Sequence, residues 1–188
     1  YIVNVGIDIK SSLEAYNLSK LYSQIIPTIG IHPSQHEDIG CLDEMERLIK
    51  ECEFKAVGET GLDYFKNYTS KETQIKLFRA QLKLAKKHQL PVIIHNRKAD
   101  DDVLAIIEEY KDLTKVFHCY STNVEFAKKL LAPNTYFSFT GNITYSKKGK
   151  IIETIKYLPL ENILLETDCP FLVPEKYKGQ ENQPAHVV

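Results

Sequence analysis

The sequence has little cysteine and no surplus of charge of either sign. Its four cysteines, Cys41, Cys52, Cys119 and Cys169, form no CxxC pair. They are too few for a disulfide scaffold, so a reducing compartment is the expected setting: the cytoplasm, or the nucleus in a eukaryotic cell. Lysine and arginine number 24 against 25 acidic residues, a net charge of −1. That excludes a global positive field for coating nucleic acid, and any such contact must be local. No apolar run approaches the ~20 residues of a membrane span, so no membrane partner is expected. The opening residues do not read as a signal peptide. A Gly-rich phosphate loop, a redox motif, a Ser-His-Asp arrangement and internal repeats are also missing.

What remains is an ordinary globular composition, 43% hydrophobic and 26% charged, which excludes a disordered tail or a collagen-like repeat. A length of 188 residues implies one domain, residues 1–188, expected to act as a monomer. The chain opens on Tyr1 without an initiator Met and stops after Val188 with no closing element, so further residues are expected at both ends.

Short apolar, β-branched runs alternate with helical patterns. The runs are Ile2–Ile7, Ile25–Ile31, Phe54–Gly58, Pro91–Ile94, Lys115–Phe117, Tyr136–Phe139 and Ile163–Leu165. Helices are expected near 12–23, 42–53, 70–89, 100–111, 123–132 and 148–158. Ser70 is a natural N-cap for the longest, and Ile75, Phe78, Leu82 and Ala85 make its apolar stripe. The tail from Pro170 reads as a loop. Strict β–α alternation implies an α/β fold with parallel strands. Eight such units close a (β/α)8 TIM barrel, and the count here is one strand short of it.

The strand ends carry the chemistry. Run two leads to His32, run three to Glu59, run four to His95, run five to His118, and run seven to Glu166 and Asp168. In a parallel barrel these ends share one rim. Crowded acids there need a cation, and His with Asp or Glu is a common ligand mixture for divalent ions. A metal-assisted hydrolysis is the simplest chemistry for such a set. By strand alternation Cys119 and Cys169 should point away from it as buried packing residues.

Five motifs stand in order along the whole chain: Gly30-Ile31-His32-Pro33, Gly58-Glu59-Thr60-Gly61-Leu62-Asp63-Tyr64, Ile94-His95-Asn96-Arg97, Phe117-His118-Cys119-Tyr120-Ser121, and Glu166-Thr167-Asp168-Cys169-Pro170. Together they closely resemble the TatD-like deoxyribonuclease family, within the amidohydrolase-like metal-dependent hydrolases. The resemblance implies a metal-dependent DNase on a TIM barrel, acting as a 3′→5′ exonuclease on single-stranded DNA with one or two divalent ions (Mg, Mn or Zn). It implies that Glu59, His95, His118 and Asp168 are metal ligands. Glu59 would bridge, and Asp168 would orient or deprotonate the attacking water. It places His32, Asp63 and Arg97 near the substrate, with His32 facing phosphate. Glu166 is read as supporting a His or Arg rather than as a ligand.

Arg97 has a plainer alternative, a salt bridge to the acids at 100–102, and Asp63 another, as a loop cap. Tyr64, Phe65, Lys66, Tyr68, Tyr120, Tyr145, Lys147, Lys148 and Lys150 are candidates for gripping DNA, or ordinary loop residues. The family's first-strand His-x-His motif and its last helices are absent from this sequence, so against the family the expected (β/α)8 barrel lacks its first strand and C-terminal helices; Asn96 stands where the family usually has Ser. An amide or ester hydrolase and a catalytically inert scaffold are the competing readings.

Overall fold

The computed structural model describes residues 1–35, 40–66, 68–145 and 148–187. Strands and helices alternate as the apolar periodicity predicts: β1 (Ile2–Asn4), α1 (Ile9–Leu21), β2 (Ile25–Pro27), α2 (Cys41–Glu51), β3 (Val57–Asp63), α3 (Lys71–His88), β4 (Val92–Arg97), α4 (Asp100–Ile107), β5 (Lys115–Phe117), α5 (Val124–Leu130), β6 (Thr135–Phe139), α6 (Lys150–Tyr157) and β7 (Ile163–Leu165). Among the described residues the tail carries only 3-10 turns, at Glu175–Tyr177 and Pro184–Val187. No helix among the described residues is long and apolar enough to cross a membrane.

The chain forms two compact units, Tyr1–Lys115 and Val116–Val188. In the first, β1 pairs with β2 and β3 with β4, both in parallel. A parallel bridge joins Ile29 to Val57. Its core is Ile29, Ile31, Val57, Leu62, Phe78, Leu82, Val92 and Ile94, each 0–1% exposed. Each such side chain contributes about 1.5–3 kcal/mol of transfer free energy. In the second unit β6 pairs with β7 in parallel. There Phe117 stacks on Phe137 at 5.8 Å between centroids, and Tyr120 meets Phe137 edge-on at 5.2 Å.

Helix starts follow the local chemistry. Ser70 caps α3 by accepting the Thr73 N–H at 3.2 Å, and Asn123 caps α5 by accepting that of Phe126 at 2.9 Å. Helix α1 begins before the expected Ser12, because Asp8 and Ser11 close a reciprocal capping box. The buried face of α3 also departs from the apolar stripe: Ile75 is only partly buried, whereas Gln74 and Gln81 are 3% and 0% exposed.

The larger boundary difference is in β3. The strand runs on through Asp63, and all seven of its residues are buried. Glu59 therefore sits within the strand rather than at its end. Continuation needs β4 to come close, and Gly61 permits it, since a Cβ there would strike the His95 carbonyl oxygen. Gly61 also has a φ of +143°, a conformation that side chains disfavour. Past the ends of β5 and β7 the alternation argument for the cysteines fails. Cys169 is exposed and Cys119 is only partly buried. Asp168 and Cys119 both take positive φ, 53° and 45°, so neither segment is extended strand whose side chains must alternate.

Candidate metal centre

The first unit gathers His32, Glu59 and His95, one ligand atom from each lying within 4.8 Å of the others. Glu59 comes from mid-β3, His95 from β4, and His32 from the loop after β2. Register does part of the placing, since Gly61 pairs with His95. Backbone bonds do the rest: the Glu59 N–H donates to Gly6 O at 2.7 Å and the His32 N–H to Ile7 O at 2.9 Å.

Two buried glutamines of α3 hold the loop ends around this cluster. The Gln81 amide bonds both backbone groups of Ile31, accepting its N–H at 2.8 Å and donating to its carbonyl at 3.0 Å. Gln74 does the same for Asp63, at 2.9 and 3.1 Å. Reading only the apolar stripe misses both. Their seven-residue spacing on one helix face is the signal that could have found them.

Glu59 is 8% exposed, so its charge requires partners. His95 supplies Nδ1 at 2.9 Å, and His32 has Nε2 at 3.5 Å from the same oxygen, Oε1. The other nitrogen of His95, Nε2, lies 3.2 Å from Asp63 Oδ2. A neutral imidazole carries one N–H. With carboxylates facing both nitrogens, the arrangement balances when the ring is doubly protonated or a cation stands at one of the two positions. That makes the donor set suited to a divalent ion held by oxygen and imidazole nitrogen.

Asp63 is buried and also accepts the N–H groups of Phe65 and Lys66 through Oδ1, at 2.9 and 3.1 Å. Burial works against its charge, yet the hydrogen bond from His95 and those two N–H groups hold its carboxyl below the usual range. His32 is oriented by Ser34, whose N–H donates to Nδ1 at 3.0 Å. With Nδ1 as acceptor, a neutral ring carries its proton on Nε2, toward Glu59.

The second unit gathers His118, Glu166 and Asp168. His118 Nδ1 lies 2.9 Å from Glu166 Oε2, and its Nε2 lies 3.8 Å from Asp168 Oδ1. Glu166 also accepts the Cys119 N–H at 2.7 Å and the Ser138 hydroxyl at 2.7 Å. Both carboxyl oxygens are thus committed, which fixes the imidazole plane and aims Nε2 toward Asp168.

The remaining candidates divide. Arg97 makes no ion pair among the described residues, and its guanidinium carbon sits 3.9 Å from the centroid of the Phe65 ring. The acids once available to it are engaged elsewhere: Asp102 accepts the Tyr64 hydroxyl and Asp100 the Asn96 amide. Tyr120 is 5% exposed and belongs to the core of its unit, its hydroxyl bonded to Asn123 O, because it packs on Phe137 rather than facing outward. Lys147 lies outside the described residues.

Comparison with known proteins gives the arrangement a context. The model of the TatD related DNase family matches residues 1–188. The chain is 36% identical to the uncharacterized metal-dependent hydrolase YabD of Bacillus subtilis, over 99% of this chain and 74% of that protein. It is 37% identical to the uncharacterized metal-dependent hydrolase YcfH of Escherichia coli K12, over 87% of this chain and 62% of that protein. It is 30% identical to the 3′-5′ ssDNA/RNA exonuclease TatD of Shigella flexneri, over 97% of this chain and 74% of that protein. The chain thus spans 62–74% of these relatives' lengths. Among solved structures, the TatD homologue YJJV of E. coli superposes with a TM-score of 0.91 at 30% identity, covering 99% of this chain and 74% of that one. The TIM-barrel-like α/β fold expected from the alternation is the fold these relatives share. On the family match and these identities, the chain belongs to the TatD related DNase family.

Proposed function

We propose that the chain carries the machinery of a divalent-metal-dependent deoxyribonuclease that removes nucleotides from the 3′ end of single-stranded DNA. The observation that carries this reading is the buried Glu59 carboxylate with His95 beside it, the imidazole flanked by carboxylates at both nitrogens. The exonuclease name of the Shigella relative supports the substrate. When bound, a divalent ion supplies Lewis acidity toward a phosphoryl oxygen and neutralises phosphate charge.

The protein's own groups take the other tasks. Glu59 and His95 in the first unit, and His118 and Asp168 in the second, are the proposed ligands. Asp63 fixes the ring of His95, and Glu166 that of His118. Asp168, 33% exposed, is the group placed to accept a proton from an attacking water. His32 offers a proton on Nε2 to a phosphate oxygen, and Arg97 offers its planar fork.

The test is nucleotide release from 3′-labelled single-stranded DNA by the intact protein, with chelator, Mg²⁺, Mn²⁺ or Zn²⁺, and with Asp168→Asn and Glu59→Gln as controls. The expected result is metal-dependent release, lowered at least a hundredfold in both variants. No release with any metal, together with hydrolysis of an amide or ester, would overturn the nuclease reading in favour of the other hydrolase.

A further inference from the structure

Phe65 and Arg97 make an exposed pair, and the ring of Phe65 has no part in the proposed metal-ligand and phosphate-binding set. Arg97 ends β4, in register with Asp63, and its carbonyl accepts the Tyr64 N–H at 2.8 Å. Phe65 follows directly, its own N–H held by Asp63 Oδ1 at 2.9 Å. The same buried residue therefore anchors the backbone on both sides of the pair. The guanidinium lies over the ring at 3.9 Å, while the ring itself stays 56% exposed. A large apolar ring left more than half exposed, with a cation on one face, calls for a role in function.

We propose that Phe65 and Arg97 form a stacking platform for one unpaired nucleobase of the substrate strand. The proposal rests on the nuclease reading and adds to it the feature that selects single strands. Its position follows from strand geometry. His95 and Arg97 are alternate residues of β4, so they project to the same side, about 7 Å apart along the strand. A strand whose phosphate lies at the Glu59–His95 cluster brings the base of a neighbouring nucleotide to the platform. Stacking on an aromatic ring tolerates any base, and a guanidinium on the ring adds charge toward the nearby backbone phosphate. In a duplex the faces of interior bases are covered by neighbouring pairs and their edges are paired, so the position favours an unpaired base.

The experiment separates this from the nuclease reading. Affinity for a short 5′-fluorescein-labelled single-stranded oligonucleotide is measured by anisotropy in chelator, where no hydrolysis occurs. A series of oligonucleotides, each abasic at one position, is measured beside it. For the wild type, one position near the 3′ end should matter, its loss weakening binding about tenfold. Phe65→Ala should weaken the intact oligonucleotide by a similar factor and make that abasic position silent, and Phe65→Trp should restore both effects. Full affinity in Phe65→Ala, or an abasic penalty that persists in it, overturns the platform. A wild type that releases nucleotides with metal but shows no base-dependent affinity overturns the platform alone. A wild type that neither binds nor cleaves single-stranded DNA overturns both readings.

Discussion

At the scale of single residues, the local environment decides what each ionisable group does. Glu46 of α2 shows this away from the metal centre. One of its oxygens, Oε1, meets Lys87 at 2.6 Å, Lys50 at 2.9 Å and His88 at 3.5 Å. The hydrogen bonds from Lys87 and Lys50 pull its carboxyl down from 4.5 to about 2. The folded pKa is thus below the unfolded one. The resulting stabilisation is present above about pH 4.5 and lost as pH falls toward about 2. Glu46→Gln should therefore flatten the acid limb of a urea-denaturation series across that window, and 1 M salt should reduce the difference between the two proteins. Within the site, Asp63→Asn keeps an oxygen for the Phe65 and Lys66 N–H groups but removes the charge facing His95. Divalent-metal affinity should fall about 10- to 100-fold by calorimetry, with little change in the circular dichroism spectrum. The strand-end acids and histidines were legible as chemistry from residue type alone. The pairing of Glu166 with His118, across 48 positions of sequence, was legible only as some His or Arg partner, because a partner's identity depends on where two loops lie in space.

At the scale of elements, α3 connects the fold to the site. Gln74 and Gln81 replace backbone partners that the ends of the strand segments at Asp63 and Ile31 would otherwise lack. An isosteric Gln81→Leu leaves one buried N–H and one buried carbonyl unpaired and should destabilise by about 2–5 kcal/mol in urea unfolding. Gln74→Leu should cost a similar amount. The two are about 10 Å apart along the helix and share no partner, so the double variant should be close to additive. Phe78→Ala in the same helix tests packing alone and should cost about 3–5 kcal/mol. The element order could be read from alternating periods of two and 3.6 residues. The length of β3 could not, because its continuation past Glu59 depends on β4 approaching the glycine at 61.

At the scale of the molecule, the proposed metal links folding to function. An ion that binds the folded chain and not the unfolded one adds about 2.7 kcal/mol at a hundredfold excess over Kd. For a chain of this length that should raise the melting temperature by about 5–10 °C after chelator-treated protein receives Mn²⁺ or Zn²⁺. His95→Ala should abolish the response, and a response that survives intact in that variant would show the ion bound elsewhere.

The sequence by itself determined the α/β alternation, the parallel strand order expected from it, and the placing of histidines and carboxylates at or near strand ends. These follow from local periodicity and residue type, which act over a few positions. Only the tertiary structure decided that His95 faces carboxylates at both nitrogens, that Phe65 holds Arg97 in place of the acids at 100–102, that Tyr120 is core, and that Cys169 is exposed. Each of these depends on register and on the backbone's direction past a strand's last residue. A shift of one position there turns a side chain to the opposite face, and long-range packing sets that position.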